Sequence, residues 1–173
     1  MFGAGTIGLL AVIAARRAGA RRIVVTDLEP GKRDRAVRLG ADDAVDAASP
    51  DAPFAVRDAL GGGADVLFDC VAIEASMAQA VDTVRKAGTI LVVGVPQRVT
   101  PIRLPQVQDW ELRVQGSANY THEDIAVAAA IAASGGLPAD EIISAVRPLS
   151  AAPEAFAEAA HNTSGKIEID PTA

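Results

Sequence analysis

The sequence predicts a doubly wound parallel α/β sheet of six strands, with the first strand cut short. Three observations carry that prediction. Gly3, Gly5 and Gly8 spell G-x-G-x-x-G and run straight into an apolar helical stretch. Short β-branched and apolar runs then recur along the chain with helical patterns between them, the signature of a sheet wound by crossover helices. Half of the 173 residues are apolar, enough for one ordinary domain with a real core.

Residues 6–18 read as the first helix, carrying Leu9, Leu10, Val12 and Ile13 and closed by Gly19 in the left-handed cap position. Residues 22–26 are a β-branched strand running into Asp27. Pro30 opens the next helix, which Gly40 closes. Ala44 and Val45 make a short third strand. Ser49 is expected to cap a helix with Pro50 in its first turn, ending at Leu60. The triplet Gly61, Gly62, Gly63 has no following Lys-Ser/Thr and reads as a turn rather than a second phosphate cradle.

Residues 66–69 form the fourth strand, residues 73–85 a helix stopped by Gly88, and residues 89–93 the fifth strand, entering Gly94-Val95-Pro96. Residues 102–104 are expected to be extended. Leu112, Arg113 and Val114 with their flanks make the sixth strand. Thr121 and Asp124 predict a capping box at the head of an alanine-rich helix that ends at Gly135-Gly136. The last forty residues change character. Arg147-Pro148-Leu149 reads as extended, Ser150 as the cap of a short helix to His161, and residues 166–169 as an alternating strand.

The glycine motif carries the chemistry. The first glycine permits the turn off the strand, the second lets backbone approach a pyrophosphate, and the third lets helix and sheet pack closely. The helix N-terminus then offers free N–H groups and its positive dipole end to the phosphates. Asp27 lies nineteen residues past Gly8, where an acid that bonds adenosine ribose hydroxyls belongs. Glu29 adds a second negative charge and no arginine directly follows Asp27, so NAD is expected rather than NADP. A methyltransferase using S-adenosylmethionine would share the glycine-rich loop and the acid, but the six strands and Gly94-Val95-Pro96 speak against it.

The totals exclude other classes. A net charge of −6 with dispersed Lys and Arg argues against a nucleic-acid partner. The single cysteine, Cys70, rules out internal disulfides and fits a reducing cytoplasm. The apolar run at residues 7–15 has its arginines on the wrong side for a signal peptide and is too short to span a membrane. Cys70, His122 and His161 are the only Cys and His, scattered along the chain, so no metal site and no catalytic residue is assigned.

Taken together, these segments resemble the C-terminal part of a medium-chain dehydrogenase/reductase, in the branch of zinc-containing alcohol and polyol dehydrogenases. The likeness is carried by Gly3-Ala4-Gly5-Thr6-Ile7-Gly8, Val25-Thr26-Asp27-Leu28, Leu39-Gly40-Ala41, Ala64-Asp65-Val66-Leu67-Phe68-Asp69-Cys70, Val92-Val93-Gly94-Val95-Pro96 and Gly116-Ser117. The resemblance implies a Rossmann domain over residues 1–118 and a C-terminal segment, 119–173, that packs on an N-terminal catalytic domain. It implies that Gly3, Gly5 and Gly8 hold the pyrophosphate with N–H groups of Thr6 and Ile7, that Asp27 takes the adenosine ribose with Lys32 nearby, and that Val71 packs on the adenine. Val93, Gly94, Val95, Ser117 and Asn119 would receive the nicotinamide end, and Lys166 would lie near the phosphates. The expected reaction is hydride transfer between a secondary alcohol and NAD, with zinc only in the catalytic domain, which this sequence lacks. The chain alone is therefore expected to be inactive. A stand-alone NAD(H)-binding or assembly module is the other reading.

Only Met1 and Phe2 precede Gly3, whereas a central strand has about five or six residues. The neighbouring strands are therefore expected to flank a slot with unpaired backbone groups, and the chain is expected to be a truncated form of a longer product. Ile142, Ile143 and Phe156 should lose part of their packing for the same reason. By resemblance, a homodimer is expected through the edge strand bounded by Glu111 and Ser117, which would also remove an unpaired edge.

Overall fold

The structure is a computed structural model that describes residues 1–161 and 165–173. The chain divides into two compact units, Met1–Ala118 and Asn119–Ala173.

The first unit is a parallel sheet wound with helices. Its elements run α1 (Thr6–Arg17), β1 (Val24–Asp27), α2 (Pro30–Arg38), β2 (Asp43–Asp46), α3 (Ala52–Leu60), β3 (Ala64–Asp69), α4 (Glu74–Thr83), β4 (Val84–Val92), α5 (Leu104–Asp109) and β5 (Arg113–Gly116). The strand pairs β1·β2, β3·β4 and β4·β5 are all parallel. Phe2 joins the two groups, bridging Thr26 on one side and Asp69 on the other. The order across the sheet is therefore β2, β1, the short segment at Phe2, β3, β4, β5: a doubly wound sheet with its first strand at the centre. Phe2 packs into a core with Leu67, Met77, Val81, Val84 and Ile90, beneath α4. Ala4 belongs to a second core with Leu9, Val12, Ile23, Val25 and Ala36, beneath α1 and α2.

Residues 1–3 fill the C-terminal end of the central slot as ladder rungs. Phe2 N–H donates to Phe68 O (2.8 Å), Cys70 N–H to Phe2 O (2.9 Å), Gly3 N–H to Thr26 O (2.8 Å) and Thr26 N–H to Met1 O (2.9 Å). The Met1 amine donates to Val24 O (2.8 Å), and burial pushes it down to about 6. Below it, between the N-terminal ends of β1 and β3, lies a cavity of about 440 Å³ lined by Ile23, Val24, Val56, Val66, Leu67 and Phe68 among others. Half of the surface of Val66 is exposed there, which is unusual for a valine in a central sheet.

Several elements differ from the sequence reading. Ser49 and Pro50 form a turn, in which the Ser49 hydroxyl accepts from Asp51 N–H (3.3 Å), and α3 starts only at Ala52 with Pro53 in its first turn. Helix α4 ends at Thr83, not Arg85. Thr83 and Val84 are fully buried, and Val84 pairs with Ala64, so tertiary pairing ends the helix two residues early and starts β4 at Val84 rather than Thr89. The register then jumps from Ala64↔Val84 to Val66↔Thr89, which places Gly88 inside the strand. Residues 102–104 are not a plain extended piece, since Leu104 begins α5, with Pro105 in its first turn.

The second unit contains α6 (His122–Ala133), α7 (Ala139–Ile142), β6 (Ile143–Pro148), a single 3-10 turn (Leu149–Ala151), α8 (Ala152–His161) and β7 (Lys166–Asp170), with β6 and β7 parallel. The capping box at α6 is complete: Asp124 N–H donates to Thr121 Oγ1 (3.2 Å) and Thr121 N–H to Asp124 Oδ2 (2.7 Å). Ser150 sits inside the 3-10 turn rather than capping α8. Ile142, expected to lose packing, is buried, while Phe156 is exposed.

Candidate functional site

The C-terminal ends of β1, the Phe2 segment and β3 open onto one crevice. Gly3 has φ +86°, a conformation that suits glycine, and a Cβ there would come within 2.8 Å of Val71 Cγ2. A Cβ on Gly8 would run into the Gly3 carbonyl, so only glycine lets α1 start this close to the loop. Gly5 caps α1 at φ −72° with open space around its missing Cβ. No side chain caps the helix and no acid lies in its first turn. The first N–H groups of α1, including those of Thr6 and Ile7, are thus left for an anion.

Asp27 closes β1. Its Oδ2 accepts from Ala4 N–H (2.8 Å) and its Oδ1 from Glu29 N–H (2.9 Å), so the carboxylate ties the glycine-rich loop to the start of α2. Lys32 lies one turn into α2, with Nζ 3.0 Å from Glu29 Oε1. Arg33, not among the residues expected from the sequence, donates from Nη1 to Asp27 O (2.8 Å) and Leu28 O (3.0 Å). Its spacing in α2 is the signal that could have found it. Gly3, Asp27, Leu28, Val71, Ile73, Ser76 and Gln79 line a recess of about 140 Å³. Val71 is 39% exposed there.

On the other flank, Val93 and Gly94 follow β4, and both N–H groups donate to Asp69 O (2.9 Å each). A Cβ on Gly94 would lie 2.8–2.9 Å from the backbone of Cys70 and Val71, so this loop packs directly on the β3–α4 turn. Val95 is largely exposed. Ser117 N–H donates to Val92 O (2.9 Å), extending the β5 pairing by one rung. Gly3, Asp27, Val71 and Gly94 are thus brought together. Asn119 and Lys166 belong to the second unit, where Lys166 opens β7 and its carbonyl accepts from the Ser144 hydroxyl (3.2 Å).

A profile described as zinc-binding dehydrogenase matches residues 6–134. The chain belongs to that family. Among its relatives is a sorbitol dehydrogenase of Bombyx mori, 30% identical over 173 residues that cover 98% of this chain and 49% of the relative. Among solved structures, 2R,3R-butanediol dehydrogenase from Bacillus subtilis superposes with a TM-score of 0.88 at 28% identity, covering 98% of this chain and 49% of that one. A structure described as a zinc-binding dehydrogenase from Sinorhizobium meliloti 1021, bound to NADP, does so with a TM-score of 0.87 at 30% identity, covering 98% and 51%. The chain spans about a third to a half of the length of the curated relatives it matches.

The family name implies zinc, and the donors among the described residues do not fit it. Among the described residues, no group of three or more His, Cys, Asp or Glu side chains could hold a metal ion. Burial pushes the Cys70 thiol up to about 11, so the free thiol is protonated at neutral pH. What the described residues do offer is an uncapped helix N-terminus beside the Asp27 carboxylate. Among the described residues, no helix is long and apolar enough to cross a membrane.

Proposed function

We propose that this chain is the nicotinamide-cofactor-binding part of an alcohol or polyol dehydrogenase, and that its cofactor is NAD(H). The observation that carries the reading is the uncapped N-terminus of α1, wrapped by a glycine loop that Asp27 holds in place through Ala4 N–H. The pyrophosphate would lie over Gly3, Gly5, Thr6, Ile7 and Gly8. Asp27 has a lone pair left on each oxygen for ribose hydroxyls, with Lys32 beside it. The adenine would pack on Val71, and the nicotinamide end would meet Val93, Gly94, Val95 and Ser117.

A bound nicotinamide would supply the hydride acceptor for a secondary alcohol, which would leave as a ketone with release of a proton. The residues of this chain bind and orient. The metal that polarises the alcohol oxygen would belong to a catalytic domain outside residues 1–173, on which residues 119–173 would pack. With the ribose at Asp27, the carboxylates of Asp27 and Glu29 would face a 2′-phosphate, and like charges repel. That favours NAD, although one structural neighbour is bound to NADP. Assembly would be a homodimer through β5, whose residues are all exposed, and the compartment would be the cytoplasm, consistent with a single free cysteine.

The test is titration of the chain with NADH and NADPH, followed by nicotinamide fluorescence, together with an alcohol turnover assay. Saturable NADH binding with weaker NADPH binding and no turnover is expected. Failure to bind NADH overturns the reading, and turnover by this chain alone overturns the assignment of catalysis to another domain.

A further inference from the structure

In the sequence Asp69 reads only as the last residue of a buried strand, and the cofactor assignments above make no use of it. The structure gives it more to do. Asp69 is a fully buried carboxylate at the C-terminal end of β3, directly beside Phe2. Its Oδ1 accepts from Val71 N–H (3.0 Å) and Ala72 N–H (2.9 Å), and its Oδ2 from the Ser76 hydroxyl (2.8 Å). Ser76 Oγ in turn accepts from Ile73 N–H (3.0 Å), which fastens the head of α4 to the same group. The turn so held contains Ala72 at φ +56°, a left-handed conformation that a non-glycine residue adopts only when its surroundings enforce it.

That turn is the middle of three loops forming the crevice. Val71 stands against Gly3 on one side, and Gly94 packs on the backbone of Cys70 and Val71 on the other. The Asp69 carbonyl accepts from Val93 and Gly94 as well, so one residue fastens two of the three loops and its ladder partner Phe2 leads into the third. We propose that Asp69 is a positioning residue of the cofactor crevice: its carboxylate, with Ser76, fixes the β3–α4 turn and so sets the gap between Gly3 and Gly94 that a dinucleotide enters. The inference rests on the dinucleotide reading given above. It predicts that the pattern of acceptors matters more than the charge, because an asparagine at this position keeps one oxygen toward the two N–H groups and turns its amide to Ser76 Oγ.

The experiment measures the Kd for NADH by fluorescence and the amide exchange of Val71 and Ala72 by NMR, in wild type, Asp69→Ala, Asp69→Asn and Ser76→Ala. Asp69→Ala is expected to raise Kd at least tenfold and to speed both amides at least tenfold. Asp69→Asn is expected to stay within threefold on both readouts, a rescue that loss of packing alone would not produce. Ser76→Ala is expected to raise Kd three- to tenfold, and it keeps the test open if Asp69→Ala does not fold. Wild-type affinity in Asp69→Ala or in Ser76→Ala, unchanged exchange in Asp69→Ala, or Asp69→Asn as weak as Asp69→Ala would each overturn the inference. Absence of NADH binding by the wild type would instead overturn the proposed function itself.

Discussion

Two glycines of the loop separate a ligand's demand from the fold's own. At Gly5 nothing lies within 4 Å of where an added methyl group would sit, and φ is −72°, which alanine adopts freely. Gly5→Ala loses about 0.5–1 kcal/mol of helix-cap preference and recovers about 0.4–1 kcal/mol through a stiffer unfolded chain. Its stability should therefore stay within about 0.5 kcal/mol of wild type. If a pyrophosphate approaches there, the methyl intervenes and at least one charge-assisted hydrogen bond, worth about 1.5–3 kcal/mol, is lost. That converts to a Kd for NADH about 10–150-fold higher. Gly8→Ala is the opposite case. Its Cβ would run into the Gly3 carbonyl, and overpacking of this kind costs about 1–3 kcal/mol. For a chain of this size that lowers Tm by about 2–12 °C. The assay is thermal unfolding by circular dichroism beside NADH titration. A Gly5→Ala protein that binds NADH within twofold of wild type would refute the placement of the phosphates, and an unchanged Tm in Gly8→Ala would refute the packing argument.

Asp27→Ala should cost about 1–3 kcal/mol of stability, since Ala4 and Glu29 lose their acceptor, and should narrow the NADH-over-NADPH preference at least tenfold; an unchanged preference counts against its role in selection. Asp42 accepts from Ile23 N–H (2.7 Å) and Arg16 Nη2 (2.6 Å), which hold its carboxyl below the ordinary 3.8. Its contribution is complete above pH 3.8 and is lost as pH falls below it, so Asp42→Asn should flatten the acid limb of Tm against pH. Cys70 is raised by burial from 9.0 to about 11, so the stability it contributes is present below pH 9 and disappears as pH rises through about 11. Cys70→Ala should remove that alkaline slope, and iodoacetamide should label the wild-type thiol slowly at about pH 8. Val114→Pro in β5 should prevent any dimer formed through that edge, read by light scattering at micromolar concentration, with a monomeric wild type counting against the edge.

The parts of the fold legible in the sequence are those written in local patterns. The glycine loop, the β-branched run into Asp27 and the Thr121–Asp124 capping box each depend on residues within a few positions of one another; the loop and the box form as read, and the strand forms two residues later than read, from Val24 to Asp27. The misreadings fall where distant residues decide. Helix α4 stops at Thr83 because Val84 pairs with Ala64 and Arg57 donates to the Val84 carbonyl (3.2 Å), partners far away in the chain. Helix α5 hides behind Pro101 and Pro105, although Val107 and Trp110 pack on the core at helical spacing.

The same division runs through the site. From the sequence Asp27 acquires a ligand and Asp69 only a strand position, yet the two carboxylates play parallel parts in the structure. Each lies at the end of a strand flanking Phe2, and each accepts from backbone N–H groups of the loop above it: Ala4 and Glu29 for Asp27, Val71 and Ala72 for Asp69. A side-chain acceptor at a strand end is the economical way to hold a turn whose own backbone donors would otherwise lack partners. Asp27 can be singled out because its spacing from Gly8 already means something. The partners of Asp69 become visible only once the chain has folded Gly3 and Gly94 against the turn between them. The two carboxylates thus hold the turns on either side of the rungs made by residues 1–3.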